Sequence, residues 1–308
     1  MNEAAAPARQ AHDLLAPALF AQVTAVRRAS ARVAVPARAA SPDADAIHDF
    51  RVALRRLRTW LRPARAVFGR RRLREIAGEL RRFAQATGAL RDEEVLRGTL
   101  AALALPPRPR ADLDAWLVQR ARQERARRRG VVGLLRAGEA PGAPSLGAAL
   151  AQLERRLGRS RRVDLGAAAL GAAALCAATL AEAFAAVRRL AGAPPELRDV
   201  AAMHALRIQC KRLRYLAELF APLLGERGKA AARSAARLQK RLGELHDLDE
   251  ALARIARARG LSSGTIRSVR RALTRARAVA CERVREDLAE ELARLQGLEA
   301  ALDAALVG

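Results

Sequence analysis

Between Ile47 and Phe68 the chain reads IHDFRVALRRLRTWLRPARAVF, and five of its basic residues share one spacing. His48, Arg51, Arg55, Arg58 and Arg62 recur at i, i+3, i+7, i+10 and i+14, the interval of a single helical face. From Phe50 to Arg74 there are ten arginines and no aspartate or glutamate. A guanidinium is never deprotonated in a protein and grips phosphate oxygens through two N–H groups at once. Like charges at i,i+4 cost a helix a few tenths of a kcal/mol each, so an unneutralised rail predicts an anion supplied from outside. With a rise of about 1.5 Å per residue, Arg51 to Arg62 spans roughly 16 Å. That length suits a linear polyanion lying along the helix better than one small phosphate.

The pattern returns. Residues 203–220 read MHALRIQCKRLRYLAELF, where His204, Arg207, Lys211 and Arg214 reproduce the rail at an offset of 156 residues. Further on, TGALRDEEVL (87–96) aligns with LGELHDLDEAL (242–252), matching Gly88 with Gly243, Leu90 with Leu245 and Asp92 with Asp247 at an offset of 155. Two motifs in one order at nearly one offset point to an internal duplication. His48 and His204 head the two rails in the first helical turn, where they can donate to an anion beside the helix N-terminus or can cap and pack. Arg56, Arg212 and Tyr215 flank the rails and suit packing or ion pairs as readily as ligand contact. Asp92 and Asp247 are expected to pair with the arginines and orient them. Arg28 and Arg189 stand at corresponding places, near the end of the helix that precedes each rail.

These residues need helices to carry them. Beside the rail runs an apolar stripe, Ile47, Phe50, Leu54, Leu57 and Leu61, matched by Met203, Leu206, Cys210 and Leu213 in the second copy. Ala, Leu, Arg and Glu dominate the chain, all good helix formers, and no alternating Val/Ile/Thr run signals a strand. The expectation is an all-α fold of two pseudo-symmetric antiparallel helical bundles. A disordered tail covers residues 1–11, one half 12–160 and the other 161–308. Helices are expected over 12–35, 47–68, 71–105, 112–136, 145–158, 165–191, 197–222, 228–259 and from 263 onward. Leu15, Leu19, Val23 and Val26 should face inward, as should Leu73, Ile76, Leu80 and Phe83. Prolines break the loop 36–44 and the segment at Pro194-Pro195, and a Gly/Pro stretch at 138–144 reads as a linker. Pro17 and Pro63 lie inside helical patterns and can bend them. Asp43 or Asp45 is placed to cap the first rail helix.

Composition narrows the partners. The chain has 308 residues and a formal net charge of +25, which selects polyanions: nucleic acid, polyphosphate or an anionic surface. Aromatic residues make up only 3%, leaving few platforms for stacked bases, and the rail has no Asn or Gln to read base edges. Nucleic acid is therefore expected to bind only non-specifically. Cys176, Cys210 and Cys281 lie far apart in helical patterns and read as free buried thiols. Four histidines without ligand spacing give no metal site, and no cofactor loop is present. The Ala-rich run 165–187 contains Glu182 and reads as a packed helix rather than a membrane span. No signal peptide pattern opens the chain, and a cytoplasmic location is expected.

The His-x-x-Arg-x-x-x-(Arg/Lys)-Arg-Leu-Arg motif, present twice and followed each time by a Gly…Leu…Asp segment, resembles the CHAD domain family. The likeness extends from about residue 10 to 305. It implies an all-helical module of two pseudo-symmetric halves that binds inorganic polyphosphate along its basic helices without catalysis, targeting the protein to polyphosphate granules. Mapped on this sequence, the binding residues would be His48, Arg51, Arg55, Arg56, Arg58, Arg62, Arg28, His204, Arg207, Lys211, Arg212, Arg214 and Arg189, supported by Asp92, Asp247 and Tyr215. The first copy departs from the second in having Arg91 where the second has His246. The Glu-x-Glu-x-Lys motif of the tunnel-type triphosphatases often fused to this family is absent. A nucleic-acid-binding protein or a phosphoanhydride-processing enzyme are the alternatives.

Overall fold

Because the rail helix is apolar on one side only, it must lie at a surface with its stripe inward. The computed structural model, which describes residues 5–35, 45–136, 145–159, 171–191 and 199–307, places it so. Ile47, Phe50, Leu54, Leu57 and Leu61 of helix α2 (Ala46–Phe68) are fully buried. The chain order is α1 (Ala5–Ala34), α2, α3 (Arg70–Ala86), α4 (Gly88–Ala101), α5 (Pro107–Arg136), α6 (Leu146–Arg159), α7 (Ala172–Ala191), α8 (Val200–Ala256) and α9 (Ser263–Val307). No strand occurs among the described residues, so the fold is all-α.

Several expectations shift. Residues 5–11, expected in a disordered tail, form the start of α1, and Ala11 is completely buried. The Ala-rich sequence continues the helix there, and core packing secures it. The single helix expected over 71–105 is two. α3 stops at Thr87, whose hydroxyl donates to the carbonyls of Phe83 and Ala84 at 3.1 Å each, while Arg51 takes the Ala84 carbonyl at 2.6 Å. Side chains thus occupy carbonyls that would have carried the helix onward. α5 begins at Pro107, before the expected position, because proline suits a first helical turn. α2 runs unbroken through Pro63 and α1 through Pro17. α8 is continuous in hydrogen bonding but its backbone turns at Gly225, where φ is 58° and ψ −135°. That conformation lies in a region glycine tolerates best, and it separates the two helices expected there. Asp45 takes the N-cap position of α2 without a side-chain cap bond. Asp199 does cap α8, accepting from the Ala202 amide at 2.9 Å. The loop 36–44, the linker 138–144, Pro194-Pro195 and residues 165–170 lie outside the described residues.

The main core is one cluster that draws on residues from Ala11 to Leu295, including the apolar stripes of both rail helices. Cys176, Cys210 and Cys281 are free and buried within it. A smaller cluster joins α4, α5, α8 and α9 through Leu96, Leu100, Leu113, Trp116, Ala251, Ile255, Val269 and Leu273. It fixes α4 and the end of α8 on either side of the site described next. α2 and α8 meet where the Trp60 indole donates to the Tyr215 carbonyl at 2.7 Å. No helix among the described residues is long and apolar enough to cross a membrane.

Candidate functional site

The two rails share a cavity. Its volume is about 590 Å³, and His48, Arg51 and Arg55 of α2 line it together with His204, Arg207 and Lys211 of α8. The second half of α8 contributes a further face: Lys240, Gly243, Asp247, Glu250 and Arg254, at i, i+3, i+7, i+10 and i+14. Arg91 and Asp92 of α4 close the remaining side.

Arg51 is held from behind. Its guanidinium donates to Ala84 O at 2.6 Å and to the Thr87 hydroxyl at 3.3 Å, so the break between α3 and α4 is also its seat. A Cβ on Gly88 would come within 3.6 Å of Arg51 Nη1, and one on Gly243 within 3.7 Å of Arg207 Nε. Both are ordinary van der Waals distances, so each glycine simply packs beside the arginine matched to it in sequence. Among the described residues, neither Arg51, Arg55, Arg207 nor Lys211 forms an ion pair with a carboxylate. Arg207 Nε and Gln239 Oε1, both from lining residues, are buried without a hydrogen-bond partner.

This concentration of charge has a cost that shows in protonation. Burial, then Arg55 and Arg207, push the Lys211 ammonium down to about 6, against an opposing pull from Asp247. Arg207 and Arg51 are lowered too, first by burial, although a guanidinium stays charged. Burial raises Asp247 despite the cations around it. His204 Nδ1 lies 3.3 Å from His246 Nδ1. Burial beside Arg207 lowers both rings, His246 to about 4, so one neutral imidazole donates to the other. His48 is lowered by burial and then by Arg91. Cavity-lining cations, poorly solvated and mutually repelling, form a receptor for concentrated negative charge.

The remaining expected site residues fall elsewhere. Arg62 and Arg212 share Glu182 of α7, at 3.1 and 3.0 Å. Arg56 and Arg214 share Glu218, at 2.9 and 2.8 Å, and both guanidiniums lie near the ring of buried Tyr215. These four arginines and Tyr215 belong to the packing of α2 on α7 and α8. Periodicity set Arg62 and Arg214 on the rails with Arg56, Arg212 and Tyr215 beside them; Glu182 reaches Arg62 and Arg212, and Glu218 reaches Arg56, only through the fold, whereas Glu218 lies four residues after Arg214 on the same helix. Arg28 and Arg189 are exposed and do not line the cavity; their neighbours Arg27 and Arg188 are the ones engaged, with Glu154 and Glu299. Arg58 is half-buried but outside the cavity. Asp92 and Asp247 do line it, with Asp92 3.6 Å from Arg254. Sequence reasoning missed Arg91, Lys240, His246 and Arg254 as site residues. The i, i+3, i+7 spacing behind Asp247 would have found Lys240 and Arg254.

An all-helical frame that brings two basic helices to one cavity defines the class of fold. The CHAD domain family model matches residues 17–256, and the chain belongs to that family. Among solved structures it is similar to the CHAD domain from the plant Ricinus communis, with a TM-score of 0.67 and 21% identity, covering 90% of this chain and 91% of that one. No curated protein matches the chain. Helix α9 lies beyond the residues the family model matches.

Proposed function

We propose that this protein captures inorganic polyphosphate, without chemistry on it, in the cavity between α2 and α8. One observation carries the reading: Arg51, Arg55, Arg207 and Lys211 converge on a single cavity and none of them is ion-paired among the described residues, although Asp92, Glu244, Asp247 and Glu250 also line it, whereas their neighbours on the same helices are neutralised by Glu182 and Glu218. A site whose central cations are clustered, poorly solvated and not ion-paired is suited to take further negative charge from a ligand. Polyphosphate presents the densest linear negative charge and needs no base recognition, and no Phe, Tyr or Trp lines the cavity to stack a base. The matched motifs, each with its arginine on a glycine, support an origin by duplication, so that two related halves grip one chain from opposite sides. The protein would reside in the cytoplasm and collect on polyphosphate granules.

Competition at physiological salt tests this. Long-chain polyphosphate should displace duplex DNA and RNA by a wide margin, and no orthophosphate should be released. Replacing Arg51, Arg55, Arg207 and Lys211 with Glu should abolish binding while helicity by circular dichroism persists. Preference for DNA or RNA, or unchanged affinity in that variant, would overturn the assignment. In cells, the tagged protein should leave the granules when polymer synthesis is deleted.

A further inference from the structure

Beyond the cavity, the rail continues into a second basic track shared with α3. α2 and α3 are joined through Gly69, whose φ of 97° turns the chain so that the helices run antiparallel. Arg156 holds this corner by donating to the Phe68 carbonyl at 2.6 Å, and a Cβ on Gly69 would meet its guanidinium at 2.8 Å. Within the hairpin, Arg58 of α2 faces Arg81 of α3, and Arg65 faces Arg74; burial lowers Arg58 and Arg65, and the charges of Arg81 and Arg74 lower them further. The separation is seven residues on both helices, as antiparallel pairing requires.

No carboxylate neutralises Arg58, Arg65, Arg74 or Arg81 among the described residues. The Nε atoms of Arg58 and Arg65 are buried without a hydrogen-bond partner, while Arg74 and Arg81 are exposed. Arg55 connects the two regions: it lines the cavity and acts on Arg58. Arg51, Arg58 and Arg65 recur every seven residues on one face, a run of about 21 Å at the helical rise. Two facing guanidiniums repel unless an anion lies between them, and then both contribute charge-assisted hydrogen bonds.

We propose that the α2–α3 seam is a second polyphosphate-binding track, in which the Arg58–Arg81 and Arg65–Arg74 pairs each hold a phosphate of a chain emerging from the cavity past Arg55. The proposal rests on the reading of the cavity given above and extends it: affinity depends on polymer length, because only a long chain reaches the seam.

The test compares tripolyphosphate, short enough to stay in the cavity, with long-chain polyphosphate on the Arg74→Glu/Arg81→Glu variant. Both sites are exposed on α3, so the fold should tolerate the change. Each lost charge-assisted contact should cost about tenfold in long-chain affinity, with tripolyphosphate affinity unchanged. Arg267→Glu/Arg270→Glu, which reverses the same number of exposed charges on α9, should leave both affinities within about twofold. Equal loss in the two double variants, or no loss in the first, would overturn the seam while leaving the cavity intact. Failure of the unmodified protein to bind either polymer would overturn both.

Discussion

Lowering the pH should tighten polyphosphate binding through one lysine. In the empty cavity Lys211 sits at about 6, facing Arg51 and Arg55 from α2 and Arg207, His246 and Asp247 from α8. A bound polyanion replaces lost solvation and screens those arginines, returning the ammonium toward its ordinary range. At pH 8 about one empty site in a hundred has this lysine charged, and at pH 6 about half do. Affinity should therefore rise about 50-fold between pH 8 and 6, equivalent to about 2.3 kcal/mol, and level off below pH 5 except for what His204 and His246 add. Calorimetry in two buffers of different ionisation enthalpy reads the proton uptake directly: close to one proton at pH 8 and about half of one at pH 6. Long chains are used so that the titrating end groups are a small fraction of the ligand. Lys211→Arg, charged throughout, should flatten the profile and bind more tightly than the unmodified protein at pH 8. A flat profile for the unmodified protein, or an equally steep one for Lys211→Arg, would refute the reasoning. The same shift acts on stability without ligand. Between about 6 and the ordinary lysine value of 10.5 the unfolded chain holds the proton and the folded one does not. This group therefore makes the fold more stable as pH rises through that window and has no pH effect below it.

Two further outcomes concern the frame. Phe50→Ala empties a fully buried position beneath the rail and should cost about 3–5 kcal/mol in urea unfolding, with residual binding in proportion to the folded fraction. Glu93, only 2% exposed, accepts two hydrogen bonds from Arg120. Burial, the largest single influence, raises its carboxyl, but the hydrogen bonds and charge of Arg120, together with Arg254 and Arg127, hold it below the ordinary value. Glu93→Ala should destabilise by about 1–3 kcal/mol at neutral pH, and the difference from the unmodified protein should shrink on acidification through the lowered carboxyl value, as measured by the urea midpoint.

Periodicity alone located both rails, their apolar backs and the residues that head the cavity, because a helical face is a local property. Leu73, Ile76, Leu80 and Phe83 were legible for the same reason, and all are buried. What escaped is non-local. Arg62 looks identical to Arg55 on a helical wheel, yet Glu182, 120 residues away, reaches one and not the other. The division of 71–105 at Thr87 also depends on a distant side chain, since Arg51 claims the Ala84 carbonyl. His246 entered the sequence reading only as a mismatch between the copies, and its partnership with His204 exists because the halves of α8 fold back across the turn at Gly225.

The convergence of unpaired cations has a consequence for the protein's lifetime. An empty receptor of this kind repels itself, and whatever fills it stabilises the native state by mass action. If the proposed binding holds, chains without polymer would open more often and be exposed to proteolysis, while occupied ones would persist. Cellular abundance would then follow the supply of polymer with no dedicated regulator, the storage compound setting the dose of its own binder.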